Sequence, residues 1–413
     1  MSSQAASSSV PNRNVIATAG VVMQVALGAV YAWSVFRVPL VDQYGTSVAA
    51  VNITFSITIL TLGFAAFVGG LWMRSAGPRV VAITAAVFYG GGVFLSSLSG
   101  GSLFLLYITY GLLGGIGIGL GYIVPVATLI KWFPDKRGFI TGVAVAGFGA
   151  GALVQTIIAR AILSTGLSVF TTFAVLGIIY LILVGGAAMF MKNPPEGYSP
   201  GRFQSSGGGG ASNEDYELRG ALKTWQWYAL WALLFLNVTA GISIISEASP
   251  MAQEITGAGP NIAAFLVILI SVGNAAGRFL WAWLSDPMGR KWVFLTMFVL
   301  QAVLFFFLPF ISIYFFLAIF AIIIVSCYGG GFGTMPAFAA DYFGSRDVGT
   351  IYGLMLTAWG FGGVLGPLLT SVILDSTGSY TLAFYIIGFI MVASAIFTFF
   401  VHPPKEQATS RVS

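Results

Sequence analysis

The sequence has little charge, a single histidine and a single cysteine, and each scarcity excludes something. Charged residues make up 8% of its 413 residues, against roughly 25% in soluble domains, which excludes a soluble globular protein. Cys327 is the only cysteine, so an intramolecular disulfide is excluded. His402, the only histidine, lies at the end of the last apolar stretch, where we interpret it as an interface residue.

Catalytic patterns are also missing. The sequence contains no metal-ligand spacing, nucleophile triad, phosphate-binding loop or dinucleotide-binding loop. The Gly-Ile-Gly at 115–117 lies in an apolar stretch and is too weak a pattern to count. We therefore predict no enzymatic activity, no cofactor and no bound metal. The alternative from another class, a membrane-embedded enzyme or sensor, requires such a cluster or a large soluble domain.

Long apolar runs take up most of the chain, which is 57% hydrophobic. Crossing a hydrocarbon core of roughly 30 Å takes about 20 apolar residues. Twelve stretches qualify, namely 14–40, 48–72, 79–99, 102–130, 138–163, 167–191, 225–250, 261–284, 290–310, 311–340, 348–375 and 380–402. The predicted fold class is an all-α membrane protein with twelve transmembrane helices, called spans 1 to 12 below. The first stretch is long and has no cleavage site, so we expect no secretory signal and a multi-pass protein of the inner (cytoplasmic) membrane.

The basic residues predict the orientation. With the amino terminus inside, fifteen Lys and Arg residues fall on the cytoplasmic side, Arg37 and Arg160 fall outside, and Arg278 lies within the membrane. This positive-inside asymmetry predicts that both termini are cytoplasmic. The net charge of +5 then reflects topology. Because the cations are scattered over short loops, we predict no nucleic-acid partner, and the macromolecular surroundings are membrane lipid.

A polar stretch divides the chain into two similar halves. We predict an N-terminal six-helix bundle at 1–191, a cytoplasmic linker at 192–224 and a C-terminal six-helix bundle at 225–413. The halves match at a shift of about 211 residues, since GLWMRSAGPR at 70–79 has the layout of AWLSDPMGRK at 282–291, Pro125 matches Pro336, and GFG at 147–149 matches GFG at 360–362. Repeats of equal orientation predict a substrate site between the halves, near the membrane midplane.

Residues 284–291, LSDPMGRK, resemble the signature loop of the major facilitator superfamily, which follows the second helix of each half. The resemblance extends over essentially the whole chain and implies that family's fold. It also implies a gating loop of Asp286, Gly289 and Arg290 that helps to latch the outward-open form. The first-half copy departs from the family by carrying Arg74 where an acid is usual, so the usual charge latch is not predicted there.

Three further motifs narrow the resemblance. Residues 132–138 (WFPDKRG), continuing to 142–147 (GVAVAG), resemble the fifth-helix motif of monocarboxylate transporters. Residues 28–34 (GAVYAWS) resemble the oxalate/formate antiporter branch, and residues 274–278 (NAAGR) resemble the eighth-helix arginine motif of both. The resemblance implies carriage of small carboxylates, and its monocarboxylate branch implies proton symport.

Arg278 indicates the charge of the substrate independently of that resemblance. It lies within span 8, about 12 Å along the helix axis before Asp286 and so near mid-membrane. A buried guanidinium costs several kcal/mol on insertion scales, and its planar fork binds a carboxylate through two parallel hydrogen bonds. Ser271, Asn274, Arg278, Trp281 and Ser285 recur at three- and four-residue steps, which predicts one polar face turned inward. The alternative is a structural arginine bonded to backbone carbonyls or to a polar helix partner.

Acids that could neutralise Arg278 are scarce. Asp42, Glu254 and Asp375 lie near outer helix ends, Asp341 lies near an inner end, and Glu247 lies toward the outside of span 7. Glu247 is read as a gate, a proton site or, as we favour, an interfacial acid. With one uncompensated cation, a monoanion neutralises the site and a dianion overcharges it.

The oxalate branch adds a second cation on the eleventh helix. By the resemblance, that position falls at or beside Trp359, and residues 350–375 contain no Lys or Arg. This departure argues against oxalate as the substrate.

Aromatic residues are the other candidates for the cavity. Tyr122, in a glycine-rich span 4, and Tyr328, in span 10, offer hydroxyls for a carboxylate oxygen or a 2-hydroxyl, and the resemblance implies aromatic residues at both positions in the cavity. Phe332, one turn after Tyr328, bounds the alkyl end. For Tyr31 and Trp359, contact with the substrate and plain helix packing are equally supported alternatives. Asn274, one turn before Arg278, is placed to bond the ligand or the arginine.

These observations predict a carrier of short monocarboxylates such as L-lactate or pyruvate, working as a monomer by rocking its halves around Arg278. Proton-coupled symport and exchange of one monocarboxylate for another both remain open. An oxalate/formate-type exchanger is the alternative within transport.

Overall fold

The computed structural model describes residues 12–46, 48–195, 198 and 215–404. Within these residues the chain forms helices, turns and bends, with no strand. Most of the predicted linker, 196–197 and 199–214, lies outside the described residues. Its described end carries one short helix, Leu218–Ala221.

The helices follow the predicted spans in order. The first half consists of Arg13–Leu27, the 3₁₀ segment Gly28–Ala32 and Ser34–Tyr44 as span 1; Val48–Leu95 as spans 2 and 3; Leu103–Leu106, the π-helical Tyr107–Gly114 and Gly115–Trp132 as span 4; Arg137–Ser164 as span 5; and Val169–Ala188 as span 6. The second half consists of Trp225–Thr256, Pro260–Met288, Arg290–Phe307 and Tyr314–Phe343 as spans 7 to 10; Val348–Met355 and Thr357–Thr377 as span 11; and Thr381–Phe400 as span 12.

Two glycines at equivalent places in the repeats separate neighbouring spans. Gly77 has φ 76° and ψ 166° inside Val48–Leu95 and divides it into spans 2 and 3. Gly289 has φ 88° and ends span 8. L-residues with a side chain rarely adopt these angles. Over the described residues, eleven continuous helices are long and apolar enough to cross a membrane, and the break at Gly77 makes one of them a pair, which confirms twelve spans.

Several predicted helix ends were too early, among them those of spans 7 and 8. Span 7 continues through Pro250 to Thr256, and span 8 continues through Asp286 to Met288. Counting apolar residues stops at the first polar cluster, whereas a helix continues until its backbone is terminated. Gly257 and Gly289 supply that termination, each with positive φ.

The two halves pack mainly through two pairs of spans. Span 5 lies against span 8, and span 2 lies against span 11. Glycines allow the backbones to approach closely. A Cβ at Gly149 would contact Ala275, and one at Gly70 would overlap the backbone of Gly349. The candidate site lies where spans 1, 4, 5, 8, 10 and 11 converge.

Candidate functional site

Arg278 lies at the centre of the convergence and is fully buried. Its Nε donates to Asn274 Oδ1 at 3.1 Å, one turn earlier on span 8. One terminal nitrogen, Nη2, donates to the Tyr31 hydroxyl at 3.4 Å. The other, Nη1, is buried without a hydrogen-bond partner, and no described Asp or Glu pairs with the guanidinium. The site therefore holds a desolvated cation with one free hydrogen-bonding edge.

Aromatic faces surround the guanidinium. Its central carbon lies 4.8 Å from the Phe332 ring centre, 5.4 Å from Phe148 and 6.0 Å from Tyr31. Ring faces carry partial negative charge and stabilise a desolvated cation by about 2 kcal/mol or more. These contacts hold the charge in place without neutralising it.

Trp359 joins the two halves around the site. Its ring centre lies 4.6 Å from Phe332 in its own half, and 5.9 Å from Tyr122, 5.9 Å from Phe148 and 6.1 Å from Tyr31 in the other half. The turn at Leu356 interrupts span 11 just before this residue, and the 3₁₀ segment Gly28–Ala32 interrupts span 1 at Tyr31. Each half therefore contains an irregular helical segment close to Arg278.

Several polar groups around Arg278 lack partners. Tyr122 Oη, Tyr352 Oη, Trp359 Nε1 and Arg278 Nη1 are buried without a hydrogen bond. The Tyr122 and Tyr352 hydroxyls are neighbours, but neither reaches the other in good geometry. The Tyr31 and Tyr328 hydroxyls lie 3.4 Å apart. Buried donors left unpaired are costly, about 1–3 kcal/mol each. Three of them around one cation, together with its own free Nη1, form a ready binding surface for an anion.

All seven predicted substrate-binding residues, Arg278, Asn274, Tyr122, Tyr328, Phe332, Tyr31 and Trp359, meet in this cluster. Two neighbours were not predicted. Phe148 lies in the repeated GFG motif, but its repeat partner Phe361 is 51% exposed, so the repeat alone does not identify it. Tyr352 lies two helical turns before Trp359, a spacing that places both on one face.

The predicted polar face of span 8 is turned inward as expected. Asn274, Arg278 and Ser285 are buried, and Trp281 Nε1 donates to Ser326 Oγ on span 10 at 3.3 Å. Ser271 bonds only to the backbone of its own helix, at Val267 O. The part of this face that reaches the cluster around Arg278 therefore begins at Asn274.

The predicted gating loop, Asp286 to Arg290, connects the two halves at one end of their interface. Asp286 accepts from the backbone N–H groups of Gly138 and Phe139, at 3.0 and 2.8 Å, where span 5 begins. A carboxylate at a helix N-terminus satisfies orphan donors and meets the positive end of the helix dipole. Arg290 pairs with Asp286 at 2.7 Å and with Asp341 at 2.9 Å, and Arg137 of the other half pairs with Asp341 at 3.1 Å. This network latches the halves at the end that we predict to be cytoplasmic.

A second latch lies at the equivalent place in the repeat, with its charges exchanged. Arg74, where the family usually has an acid, pairs with Asp347 of the other half at 3.3 Å. Asp347 precedes the first residue of span 11 and is 4% exposed. Thr350 Oγ1 donates to Gly70 O at 2.8 Å beside it, next to a cavity of about 630 Å³ that Lys131 also lines. The departure at Arg74 thus changes the sign of the latch and does not remove it.

The exchanged latch yields a prediction. Arg74→Gln removes the cation that pairs with the buried Asp347 carboxylate and leaves beside it Lys131, which forms no ion pair with it. This destabilises the latched state by roughly 1–3 kcal/mol. We expect a several-fold fall in transport rate and a larger share of the form open at this end, while Arg74→Lys stays near wild type. Uptake rates of both variants check this, with the exposed Lys223→Gln as control. Equal rates in Arg74→Gln and wild type would contradict the latch.

Glu247 lies away from the arginine. Its carboxylate accepts from the Tyr380 hydroxyl at 3.4 Å, near the opposite end of the molecule from the gating loop. This contact is in accord with the interfacial interpretation. The outer acid Asp375 and the outer arginines Arg37 and Arg160 have side chains outside the described residues.

Comparisons with known proteins agree with the fold. The family model of the Major Facilitator Superfamily matches residues 18–253 and 230–412. The chain is 26% identical to the oxalate:formate antiporter of Oxalobacter formigenes, over 83% of this chain and 81% of that protein. It is 25% identical to apicoplast pyruvate carrier 1 of Toxoplasma gondii (81% and 79%), and 21% identical to monocarboxylate transporter 12-B of Danio rerio (89% and 82%).

Among solved structures, the transporter FucP in the outward conformation superimposes with a TM-score of 0.69 at 17% identity, over 94% of this chain and 99% of that one. At this identity the likeness concerns the fold.

Proposed function

Because the chain belongs to the Major Facilitator Superfamily, we propose that it carries short monocarboxylates, such as L-lactate or pyruvate, across the inner membrane by proton-coupled symport. The observation that carries the proposal is Arg278, a fully buried cation with a free Nη1 and no acidic partner among the described residues. A carboxylate that binds there supplies the missing counter-charge. The relatives include a pyruvate carrier, an oxalate:formate antiporter and a monocarboxylate transporter.

Charge balance favours a monoanion. Asn274 and Tyr31 bond the arginine, but both are neutral, and the described ring around it is aromatic. One carboxylate therefore neutralises the site. A dianion such as oxalate leaves one unpaired negative charge in a desolvated space, and this raises the free energy of binding. Trp359 lies at or beside the position where the resemblance to the oxalate branch implies a second cation, and it offers only a neutral N–H.

The polar and apolar sides of the cluster fit a short acid. Arg278 Nη1 donates to one carboxylate oxygen, and the free hydroxyls of Tyr122 and Tyr352 accompany it as donors to the other oxygen or to an oxygen on C2. Phe332 and Phe148 bound the alkyl end. Both rings are fully buried and exclude bulk water, which strengthens the charge interaction.

The coupling of proton movement to transport follows from the absence of a carboxylate or histidine among the described contacts of Arg278. We therefore propose that the proton crosses together with the bound carboxylate. We propose further that the bundles 1–191 and 225–413, joined by the linker 192–224, rock as two bodies within a monomer, with both termini cytoplasmic. The latch at Asp286, Gly289 and Arg290 then closes the inner side while substrate enters from outside.

Hydroxyl substitutions measure the binding surface. We expect Tyr122→Phe and Tyr352→Phe each to raise the half-saturation concentration about three- to tenfold, because each removes one hydrogen bond of about 1 kcal/mol to the ligand. Uptake curves check this, with Tyr228→Phe, 56% exposed on the surface, as the matched control. Unchanged affinity in both variants would assign the two tyrosines to helix packing.

Uptake of labelled L-lactate into proteoliposomes tests the proposed function. Symport predicts accumulation that follows an inside-alkaline pH gradient without internal substrate. The alternative, an oxalate/formate-type or monocarboxylate exchanger, is favoured by the similarity to the Oxalobacter antiporter, and it predicts uptake only after preloading. If neither condition gives uptake of lactate, pyruvate or formate, the proposed substrate class is wrong.

A further inference from the structure

Two buried amide side chains, one in each half, lie directly behind the site. Gln24 in span 1 and Asn237 in span 7 are both completely buried. Their separation in the sequence is close to the shift that relates the two repeats. They therefore occupy corresponding places in the first helix of each half. Neither touches Arg278 or the free hydroxyls.

Each amide donates to the backbone carbonyl of a tyrosine of the site. Gln24 Nε2 lies 3.2 Å from Tyr122 O. Asn237 Nδ2 lies 3.3 Å from Tyr328 O and 3.2 Å from the preceding carbonyl, Cys327 O. A carbonyl oxygen has two lone pairs, so it accepts this bond in addition to its helical one. The amides thus tie the backbone that carries the tyrosines to the neighbouring span.

The backbone of span 4 is weakened beside Tyr122. Pro125 lies three residues after Tyr122 inside the helix, so it removes the helical hydrogen bond to the carbonyl of Gly121, the residue before Tyr122. The donor from Gln24 restrains this weakened part of the helix. In span 10, Pro336 lies two turns after Tyr328 and removes the bond to Phe332 O, so the amide of Asn237 there holds an intact stretch of helix.

The orientation of the Asn237 amide is determined by its other neighbour. Gln301 Nε2 donates to Asn237 Oδ1 at 3.1 Å, and Gln301 is itself fully buried in span 9. Because the oxygen is occupied on that side, the NH₂ group faces span 10. The donation to Tyr328 O is therefore a fixed feature of the fold.

A glycine follows each amide by four residues and so lies on the same helix face. A Cβ at Gly241 would collide with the ring of Tyr328, and a Cβ at Gly28 would collide with the backbone carbonyl of Phe148. The face of span 7 that holds the Tyr328 carbonyl also seats its ring. The equivalent face of span 1 bonds the Tyr122 carbonyl through Gln24 and packs, at Gly28, against the helix backbone at Phe148.

We propose that Gln24 and Asn237 are positioning residues of the binding site, one for each half. Each amide keeps its tyrosine hydroxyl at the depth of Arg278 while the two halves move, because each pair lies within one half. The inference rests on the proposed function, since it concerns the same site, and it adds determinants of affinity that do not contact the substrate.

A double-mutant cycle tests the role of Gln24. Gln24→Met keeps length and volume but loses the donor, and we expect it to raise the half-saturation concentration for L-lactate about five- to tenfold, with the maximal rate within about twofold of wild type. In a Tyr122→Phe background no hydroxyl remains to be positioned, so the same change has an effect below about twofold. In a Tyr328→Phe background it keeps its full effect, because Tyr328 belongs to the other half.

The mirrored cycle pairs Asn237→Leu with Tyr328→Phe. Additive effects within a pair, or a loss of thermal stability without a change in affinity, would overturn the positioning role. Gln24→Leu replaces Gln24→Met if the latter fails to insert. Uptake by the wild type distinguishes failure of the proposed function from failure of the positioning role. No uptake by the wild type overturns the proposed function. Normal wild-type uptake with additive effects in the cycle overturns only the role of the amides.

Discussion

Arg278→Ala is expected to lower L-lactate uptake by about 100-fold or more. Truncating one partner of a buried, hydrogen-bonded charge pair costs 2–5 kcal/mol or more, and each 1.4 kcal/mol is a factor of ten. Arg278→Lys is expected to keep the charge but lose the planar fork, so that its uptake stays at least about tenfold below wild type. Initial uptake rates at matched protein amounts measure both effects, with the exposed Arg219→Ala as control.

Thermal stability separates this account from a structural arginine. In the unliganded protein Arg278 is a buried charge without an acidic partner among the described residues, so replacing it by an apolar side chain removes a desolvation cost. We expect Arg278→Leu to melt at the same temperature as wild type or higher, although it transports nothing. A marked fall in its melting temperature would assign the arginine to holding the fold, and the loss of uptake would then say nothing about substrate.

Gly70→Val is expected to trap the carrier with its inner side open and to reduce uptake by about 20-fold or more. Gly70 meets the backbone of Gly349 across the interface between the halves, and an added Cβ would overlap that backbone. Backbone cannot move aside as a flexible side chain does, and overpacking costs 1–3 kcal/mol or more. Under the proposed rocking of the halves, this contact breaks when the inner side opens, so we expect the variant still to fold in that state.

Cysteine labelling measures this shift. In a Cys327→Ala background, Thr128→Cys places a thiol in the inner cavity that Thr128 lines. Inside-out vesicles that carry Gly70→Val should label several-fold faster with a membrane-impermeant maleimide than vesicles without it. Gly186→Val, whose added Cβ meets nothing within 4 Å, is the matched control. Equal labelling rates in Gly70→Val and this control would contradict the role of the Gly70–Gly349 contact.

The order and number of the helices could be predicted because the membrane imposes a length on each apolar stretch. Their ends could not be predicted as well. Span 7 runs past Pro250 and span 8 past Asp286 because the terminating backbone at Gly257 and Gly289 decides where each ends. The apolar stretch, which the sequence displays most clearly, ends before the helix does.

The centre of the site could be predicted because a lone arginine at membrane depth is costly and therefore informative. Its surroundings could be predicted only in part. Phe148 and Tyr352 reach the cluster through the packing of spans 5 and 11 against the other spans, and a single sequence does not display that convergence. The pair Arg74–Asp347 was missed for the same reason, since its partners lie far apart in the chain and meet only when the halves close.

The central claim, that a carboxylate neutralises Arg278, is tested most directly by calorimetric binding to the purified protein. The comparison uses L-lactate and its neutral amide, L-lactamide, against wild type and Arg278→Leu. The account predicts that wild type binds lactate at least about tenfold more tightly than lactamide, and that Arg278→Leu loses this preference. Equal affinities of wild type for the acid and the amide, or an undiminished preference for lactate in Arg278→Leu, would contradict it.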